Sequence, residues 1–572
     1  MMRDDIPPVA PTPTLSGLES RTGFATLAEA LDYAAGGTAG YNFYSGRLDL
    51  VESLPYSVLR VEARELAGKL LGAGLAPGDR VALVAETDGD FIRAFAACQY
   101  AGLVPAPLPL PLAFGDRAAY VHQIRRMIAG ARASAALAPA WATEWLEEAA
   151  SGLALKVCGT VADLRARPIS APLPELDPTG LSYLQFSSGS TRAPAGIAIT
   201  HHALMNNTAA IIAHGLAIHA GDRGVSWLPF YHDMGLVGFV LAPLVAQMSV
   251  DYLATRDFAR RPLGWLTLME RNGATVSFSP SFGYELCAKR ASTGAAPRLD
   301  LSRWRVAGIG GDMIRPHVLD GFASVFTPMG FDRSAFVPSY GMAETTLAVT
   351  FRPLNRGAEL DRVDLDLLER HGIVASPRGE RFRDFVKCGR VLPGHELQVR
   401  DGEGLNLPER RLGRVFVKGP SLMRGYDHKP EETAMVLSPD GWLDTGDLGY
   451  LADGELVVTG RSKDVILING RNVWPQDLEL TAEQVDGVRH GDVAAFAIDG
   501  GEAEGVVVLV QCRSGEPALR HALAQAIGAA VRRGHGIEPL VVLVPNNALP
   551  MTSSGKLSRT AARRAYVAGE YA

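Results

Sequence analysis

Strand-like and helix-like runs alternate along some three hundred residues of this chain, and that alternation constrains its fold more than any other feature. "RVALVAE" at 80–86 is a short apolar run of the kind that forms a buried strand. "DGDFIRAFAACQYAG" follows it as a helix, with Asp88 as its N-cap and Gly102 just past its end. "ATVSFSP" (274–280) and "WRVAGIGG" (304–311) are further strands, each running into turn residues. Such a pattern predicts α/β layers with parallel strands. From about 385 the texture changes to short strands with close turns, "GHELQVRDGEG", "GRVFVKG" and "GYLADGELVVTGR", which predict a β-rich subdomain over about 385–459. Beyond Gly460 a compact unit begins, with strands "GVVVLVQC" and "LVVLVP" around the helix "ALRHALAQAIGAAVRRG".

The expected organisation is a flexible lead-in at 1–22, a large N-terminal domain at 23–459, a boundary at 460–463 and a small α+β C-terminal domain at 464–572. A chain of 572 residues is too long for one core, which agrees with this division. A net charge of −6 provides no general attraction to nucleic acid or anionic lipid, so any phosphate must be held locally. Five cysteines, odd in number and without CxxC spacing, make neither a zinc site nor a disulfide framework, and a reducing cytoplasm is the default. The start of the chain has no apolar signal core. "VGFVLAPLVAQMSV" (237–250), broken by Pro243 and Gln247, is too short to span a membrane and is expected as a buried helix.

After the apolar "LSYLQF" comes "SSGST" at 187–191, with Ser187, Ser188, Gly189, Ser190 and Thr191. Glycine lets backbone approach an anion, and free N–H groups with hydroxyls are donors to phosphate oxygens. It is not a Walker A loop, because Gly189 and Gly196 are too far apart and no lysine follows the second glycine. Taken alone, the run is as readily a surface turn. It does not stand alone. "SYGMAETT" (339–346), "LDTGDLGYL" (443–451), "GRSKDVILINGRN" (460–472) and "LPMTSSGKLSR" (549–559) follow in order at wide spacing. Each resembles a core motif of the adenylate-forming enzymes, the superfamily of acyl-CoA synthetases, luciferases and peptide-synthetase adenylation domains.

The resemblance implies attack of a carboxylate on the α-phosphate of ATP, with Mg²⁺, to form acyl-AMP and pyrophosphate. The serine loop would cradle the β- and γ-phosphates. Glu344 would hold Mg²⁺, its competing reading being a carboxylate in the first turn of a helix. Tyr340 would stack on adenine, with Gly341, Met342, Ala343 and Thr345 around it and Gly310, Gly311 and Asp312 as the opposite wall; a core tyrosine is the alternative. Asp447 would accept from the ribose hydroxyls, unless it is a plain turn aspartate. Arg461 would contact ribose or phosphate, and Lys463 lies near the hinge on which the C-terminal domain turns. Lys556 would bridge the substrate carboxylate and the α-phosphate, against the reading of an exposed loop lysine. His232, in "WLPFYHDMGLVG" (227–238), resembles the gating residue at the mouth of the carboxylate site, and a structural histidine is the alternative.

The departures from the general pattern point to one branch. "TRAPAG" has Arg192 and Ala195 where most members have Gly and Lys, Ala343 stands where most have Thr, and "GRNVWPQDLE" follows the hinge. All three resemble the fatty acyl-AMP ligases, which pass the acyl group to the phosphopantetheine of an acyl carrier protein serving polyketide or mixed peptide synthases. That branch carries an insertion restraining the C-terminal swing, and the long stretch at 352–384 is its candidate, with "LDRVDLDLLERHGIV" (360–374) spaced as a docking helix. A decorative surface loop is the other reading. Arg532, Arg533, Arg559, Arg563 and Arg564 are candidate carrier contacts or solvated charges. Against this reading stand a conventional acyl-CoA synthetase, a non-catalytic carrier-binding relative and, more remotely, a peptide-synthetase module.

Overall fold

A computed structural model describes Leu18 and residues 21–111, 117–168, 171–186, 196–295, 298–468, 471–499, 504–551 and 557–571. Ser187, Ser188, Gly189, Ser190, Thr191, Arg192, Ala195 and Lys556 lie outside the described residues.

The large domain is organised by a nine-stranded sheet whose six central strands are parallel, in the spatial order Phe336–Gly341, Val306–Ile309, Val276–Ser279, Arg223–Ser226, Ser249–Leu253 and Gly40–Tyr44. Antiparallel strands close both flanks: Ala348–Phe351 and Arg390–Val391 on one, Leu50–Pro55 on the other. A second, four-stranded parallel sheet contains Arg80–Val84, and the helix after it, Gly89–Tyr100, starts where Asp88 accepts from the Phe91 amide at 2.9 Å. Gly102 follows that helix at φ +66, a left-handed position natural to glycine. The expected β-rich subdomain is a four-stranded antiparallel sheet of Glu396–Arg400, Gly413–Lys418, Leu443–Ala452 and Glu455–Arg461.

The C-terminal domain has its own core. Ile466, Leu478, Val508, Ile527 and Val531 cluster separately from the large domain's residues. A three-stranded sheet (Val493–Asp499, Glu504–Gln511, Pro539–Val544) packs with the helices Pro475–Glu483, Pro517–His535 and Arg559–Val567. Arg559 is no free surface charge: it donates to both oxygens of Glu479 at 2.7 and 2.6 Å. Arg532 is paired with Glu538 at 2.7 Å.

Two expectations change form. Over 360–374 the spacing predicted one docking helix, but Leu360–Asp364 is a strand paired with Phe382–Val386, and only Leu365–His371 is helical. The strand half alternates Asp361 and Val363 inward with Leu360 and Arg362 outward, and Asp364 caps the helix by accepting from the Leu367 amide. The two periodicities abut and mimic a single helical stripe. The buried helix expected at 237–250 is a π-helical turn, Val237–Leu241, followed by the short α-helix Ala242–Val245. Pro243 is tolerated because it stands at the first positions of that α-helix. All five cysteines are free. Among the described residues no helix is long and apolar enough to cross a membrane.

Candidate active site

In an open parallel sheet, ligands bind beyond the carboxyl ends of the strands. Three such ends converge here. Phe336–Gly341 delivers Tyr340 and Gly341, then Met342 and the single 3₁₀ turn Ala343–Thr345. Gly341 can be nothing larger: a Cβ there would fall 1.8 Å from the Leu347 carbonyl oxygen. Val306–Ile309 runs into Gly310, Gly311 and Asp312, with Gly311 at φ +80. The loop after Arg223–Ser226 delivers His232 as the N-cap of the short helix Asp233–Leu236. Across from them, Asp447 and Arg461 face each other on neighbouring strands of the β-rich sheet.

These residues share one cavity of about 1450 Å³ that extends between the large and C-terminal domains. His232, Gly311, Asp312, Tyr340, Gly341, Met342, Ala343, Glu344, Asp447, Arg461 and Lys463 all line it. Thr345 does not. It is fully buried, and its hydroxyl donates to the Met342 carbonyl at 2.8 Å, so it braces the turn that presents Glu344. Asp312 lies in the wall with its Oδ1 accepting from the Ser281 amide and hydroxyl at 3.3 and 3.2 Å. His232 combines both readings made of it, because it lines the cavity while its Nδ1 lies 2.7 Å from Asp233 Oδ1.

Two carboxyls dominate the electrostatics. The Tyr340 hydroxyl donates to Asp447 Oδ2 at 2.7 Å, and Arg461 Nε stands 3.6 Å from Oδ1. Burial pushes Asp447 above the usual carboxylate range although Arg461 and Tyr340 oppose it. Burial likewise raises Glu344, against the Tyr426 hydroxyl that donates to its Oε1 at 3.0 Å and against Arg461, and with Asp233 adding to the rise. Both groups are short of positive charge, which a cation or a set of hydroxyl donors would supply. Among the described residues no group of three or more His, Cys, Asp or Glu could hold a metal. A metal here would therefore be held by no more than two described side chains together with ligand oxygens, the pattern of Mg²⁺ on a nucleotide. Tyr426 was not anticipated. It comes from the strand Gly425–Tyr426, and Met423 beside it donates its amide to the Glu344 carbonyl at 2.8 Å. No local sequence pattern marks it, since its role depends on a contact 82 residues away in the chain.

The same cavity has an apolar lining, with Ile211, Leu216, Met234, Phe239, Phe278 and Leu347 among its walls. Carboxyls and apolar side chains thus share one cavity.

The model of the AMP-binding enzymes matches residues 33–427, well over half of the chain. The chain belongs to the AMP-binding enzyme family. A putative acyl-CoA synthetase of Caulobacter vibrioides is 53% identical to it over 98% of both chains. A medium-chain-fatty-acid–[acyl-carrier-protein] ligase of Moorena producens, JamA, is 32% identical over 96% of each. A solved chain from structural and functional studies of fatty acyl-adenylate ligases from E. coli and L. pneumophila superposes with a TM-score of 0.92 at 42% identity, covering 96% of this chain and 100% of that one. These matches bear out the resemblance drawn from the five motifs. The two-domain α/β architecture of this AMP-binding enzyme is that of the adenylate-forming fold.

Proposed function

We propose that this protein activates a fatty acid as its acyl adenylate and then transfers the acyl group to the phosphopantetheine thiol of an acyl carrier protein. The observation that carries the reading is the single cavity in which the Glu344 and Asp447 carboxyls stand beside an apolar chamber. In the first step a carboxylate oxygen bonds to the α-phosphorus while the bond to the β-phosphate oxygen breaks, and pyrophosphate leaves with the electron pair. Two like charges 4 Å apart repel by about 4 kcal/mol at an effective dielectric near 20, so the site must compensate the charge. Lys556 and the 187–191 loop are assigned to that task by their motifs. Mg²⁺ held at Glu344 would add Lewis-acid stabilisation of the phosphates. Asp447, its Oδ2 already accepting from Tyr340, would take the ribose hydroxyls, and Arg461 would offset its charge. In the second step the thiol sulfur bonds to the acyl carbon, AMP departs with the electrons of the C–O bond, and the thiol proton passes to solvent.

The hinge at 460–463 and the insertion at 352–384 belong to this proposal. Supporting the carrier as acceptor, the insertion holds the C-terminal domain directly: Glu369 accepts from Arg471 at 2.6 Å, and Arg383 pairs with Asp477 at 2.6 Å. The 53% identical relative named as a putative acyl-CoA synthetase favours a second reading, transfer to CoA. Mass spectrometry separates them. With ATP, Mg²⁺, dodecanoate, CoA and a phosphopantetheinylated carrier in one tube, we expect acyl-AMP and acyl-carrier without acyl-CoA; abundant acyl-CoA would favour the second reading instead. Glu344→Gln is expected to lower acyl-AMP formation by on the order of a hundredfold or more and to raise the Mg²⁺ concentration needed. An unchanged Mg²⁺ requirement would remove Glu344 from that role.

A further inference from the structure

Three phenylalanine rings form a bar in the apolar wall of the cavity. Strand register sets two of them on one face of the central sheet. Phe278 stands beside Gly308, Gly308 beside Val337, and Phe351 opposite Ser339, so side chains from four neighbouring strands share that face. Between the two phenylalanines lie Gly308, Gly310 and Ser339, and the rings reach over them. The Phe278 ring lies across Gly308, where a Cβ would fall 2.1 Å from it. It meets the Phe351 ring edge to face, centroids 6.2 Å apart and planes at 88°. From above the sheet, Phe239 meets Phe278 at 6.2 Å and 62°.

Two irregular helical turns are seated on this bar. Phe239 belongs to the π-helical turn Val237–Leu241. Gly215 ends the other, Ile211–Gly215, and a Cβ on it would fall 2.7 Å from the Phe351 ring. π-turns inside helices cluster at functional positions, and here both shape the same wall. All three rings line the cavity and are 2–8% exposed. Their depth follows from the strands: Gly308 lies two residues, about 7 Å, below Gly310 at the nucleotide-facing edge.

We propose that Phe239, Phe278 and Phe351 form the end stop of the acyl chamber and set the longest fatty-acid tail that the protein activates. The proposal rests on the adenylation reading and names which part of the substrate this wall selects. Shortening a ring lengthens the chamber. Filling the space above the bar shortens it, and Gly238 is placed for that: it lines the cavity, and a Cβ there would meet only Leu347 Cδ2, at 3.4 Å.

The test is acyl-AMP formation across the even-numbered saturated acids from hexanoate to octadecanoate, for wild type, Phe278→Leu, Phe351→Leu and Gly238→Val. Each added methylene accepted or refused by an apolar pocket is worth roughly tenfold in kcat/KM. The leucine variants should therefore move the optimum to longer acids, the kcat/KM ratio of the longer acid over the wild-type optimum rising at least about tenfold. Gly238→Val should move it to shorter acids. Should the leucine variants fail to fold, the valine variant carries the test alone. Folded, active variants that keep the wild-type order of chain lengths would overturn the end stop and leave the adenylation reading standing. Wild-type protein that makes no acyl-AMP from any acid overturns the adenylation reading and the stop with it.

Discussion

The C-terminal domain is held to the rest of the molecule by two seams of opposite character. Along the stretch 360–386, Trp474 is fully buried in a cluster with Val363, Leu368, Val374, Phe385 and Tyr450. Inside that frame Glu369, only 1% exposed, accepts from Arg471 at 2.6 and 3.0 Å and from Arg381 at 3.2 Å, while Arg471 also donates to the His535 carbonyl at 3.1 Å. At the cavity mouth the other seam is ionic and wetter. His490 Nδ1 lies 2.6 Å from Glu483 and its Nε2 3.1 Å from Glu285 across the divide, with Arg315 3.8 Å from the same Glu483 carboxylate. These side chains line the cavity and reach 33% exposure at Arg315. One seam is a desolvated pair in an apolar frame; the other is a polar cluster in the cavity wall, partly exposed at His490 and Arg315. This contrast predicts a stiff side and a soft side, with opening that starts at the mouth.

Removing one partner of a buried ion pair leaves an uncompensated charge, a loss of about 3–5 kcal/mol. Arg471→Met should destabilise the C-terminal domain at the lower end of that range, about 3 kcal/mol, because Arg381 stays on Glu369 at 3.2 Å, and this is seen as a separate low-temperature unfolding step in calorimetry. A loss below about 1 kcal/mol, the range of exposed pairs, would make the two seams alike and break the comparison.

The stiff seam also carries a pH signature. His535 is buried, its Nε2 is 2.7 Å from the Thr481 hydroxyl, and its Nδ1 has no hydrogen-bond partner among the described residues. Burial, reinforced by Arg381, Arg471 and Arg383, pushes its pKa down to about 4. The unfolded chain takes up a proton on this side chain below about 6.5, whereas the folded one stays neutral until about 4. Stability is therefore complete above pH 6.5 and falls as pH drops towards 4, by up to about 3 kcal/mol. His201, pushed to about 4 by its own burial in the large domain, has the same sign. Denaturant titrations between pH 7 and 4.5 should show His535→Gln losing less stability on acidification than wild type. Equal slopes would mean that the seam does not keep His535 neutral.

How far this was legible in the sequence differs along the same line. The motif residues that share the cavity could be picked out because each is a local pattern: a glycine that admits no Cβ at 341, an acid one turn later at 344, and an aspartate after a glycine at 447. The strand–helix order was legible because period and capping are local too, as at Asp88 and Gly102. Thr345 was misplaced because its motif does not say which way a hydroxyl in a 3₁₀ turn will face. The spacing over 360–374 pointed to an apolar face, and Leu368 is buried in the cluster that holds Trp474. That the charges of this stretch, Glu369 above all, turn inward to meet Arg471 about a hundred residues later could not be read, because pairing across such a distance is a property of packing. Tyr426 on Glu344 and the three-ring bar escaped for the same reason: each joins residues from separate elements whose local sequences carry no sign of one another.

The smallest expected effect is at the mouth, and it sharpens the contrast most. Burial works to raise Glu483, yet the His490 ring and the Gly491 amide, donating at 2.7 Å, hold it below the ordinary carboxylate range. The seam is thus favourable but open to the cavity, and ion pairs so exposed contribute about 0–1 kcal/mol and weaken with salt. His490→Gln should leave the calorimetric transition within about 1 kcal/mol of wild type while speeding amide exchange in Pro475–Glu483 and Ser281–Arg290, the helices that face each other there. High salt should bring the wild-type exchange up to that of the variant, because the lost contact is the one that salt screens. The helix Leu365–His371 on the insertion side should exchange at the same rate in both proteins. Were that helix to loosen together with the mouth, the domain would open as one piece, and the division into a stiff and a soft side would fail.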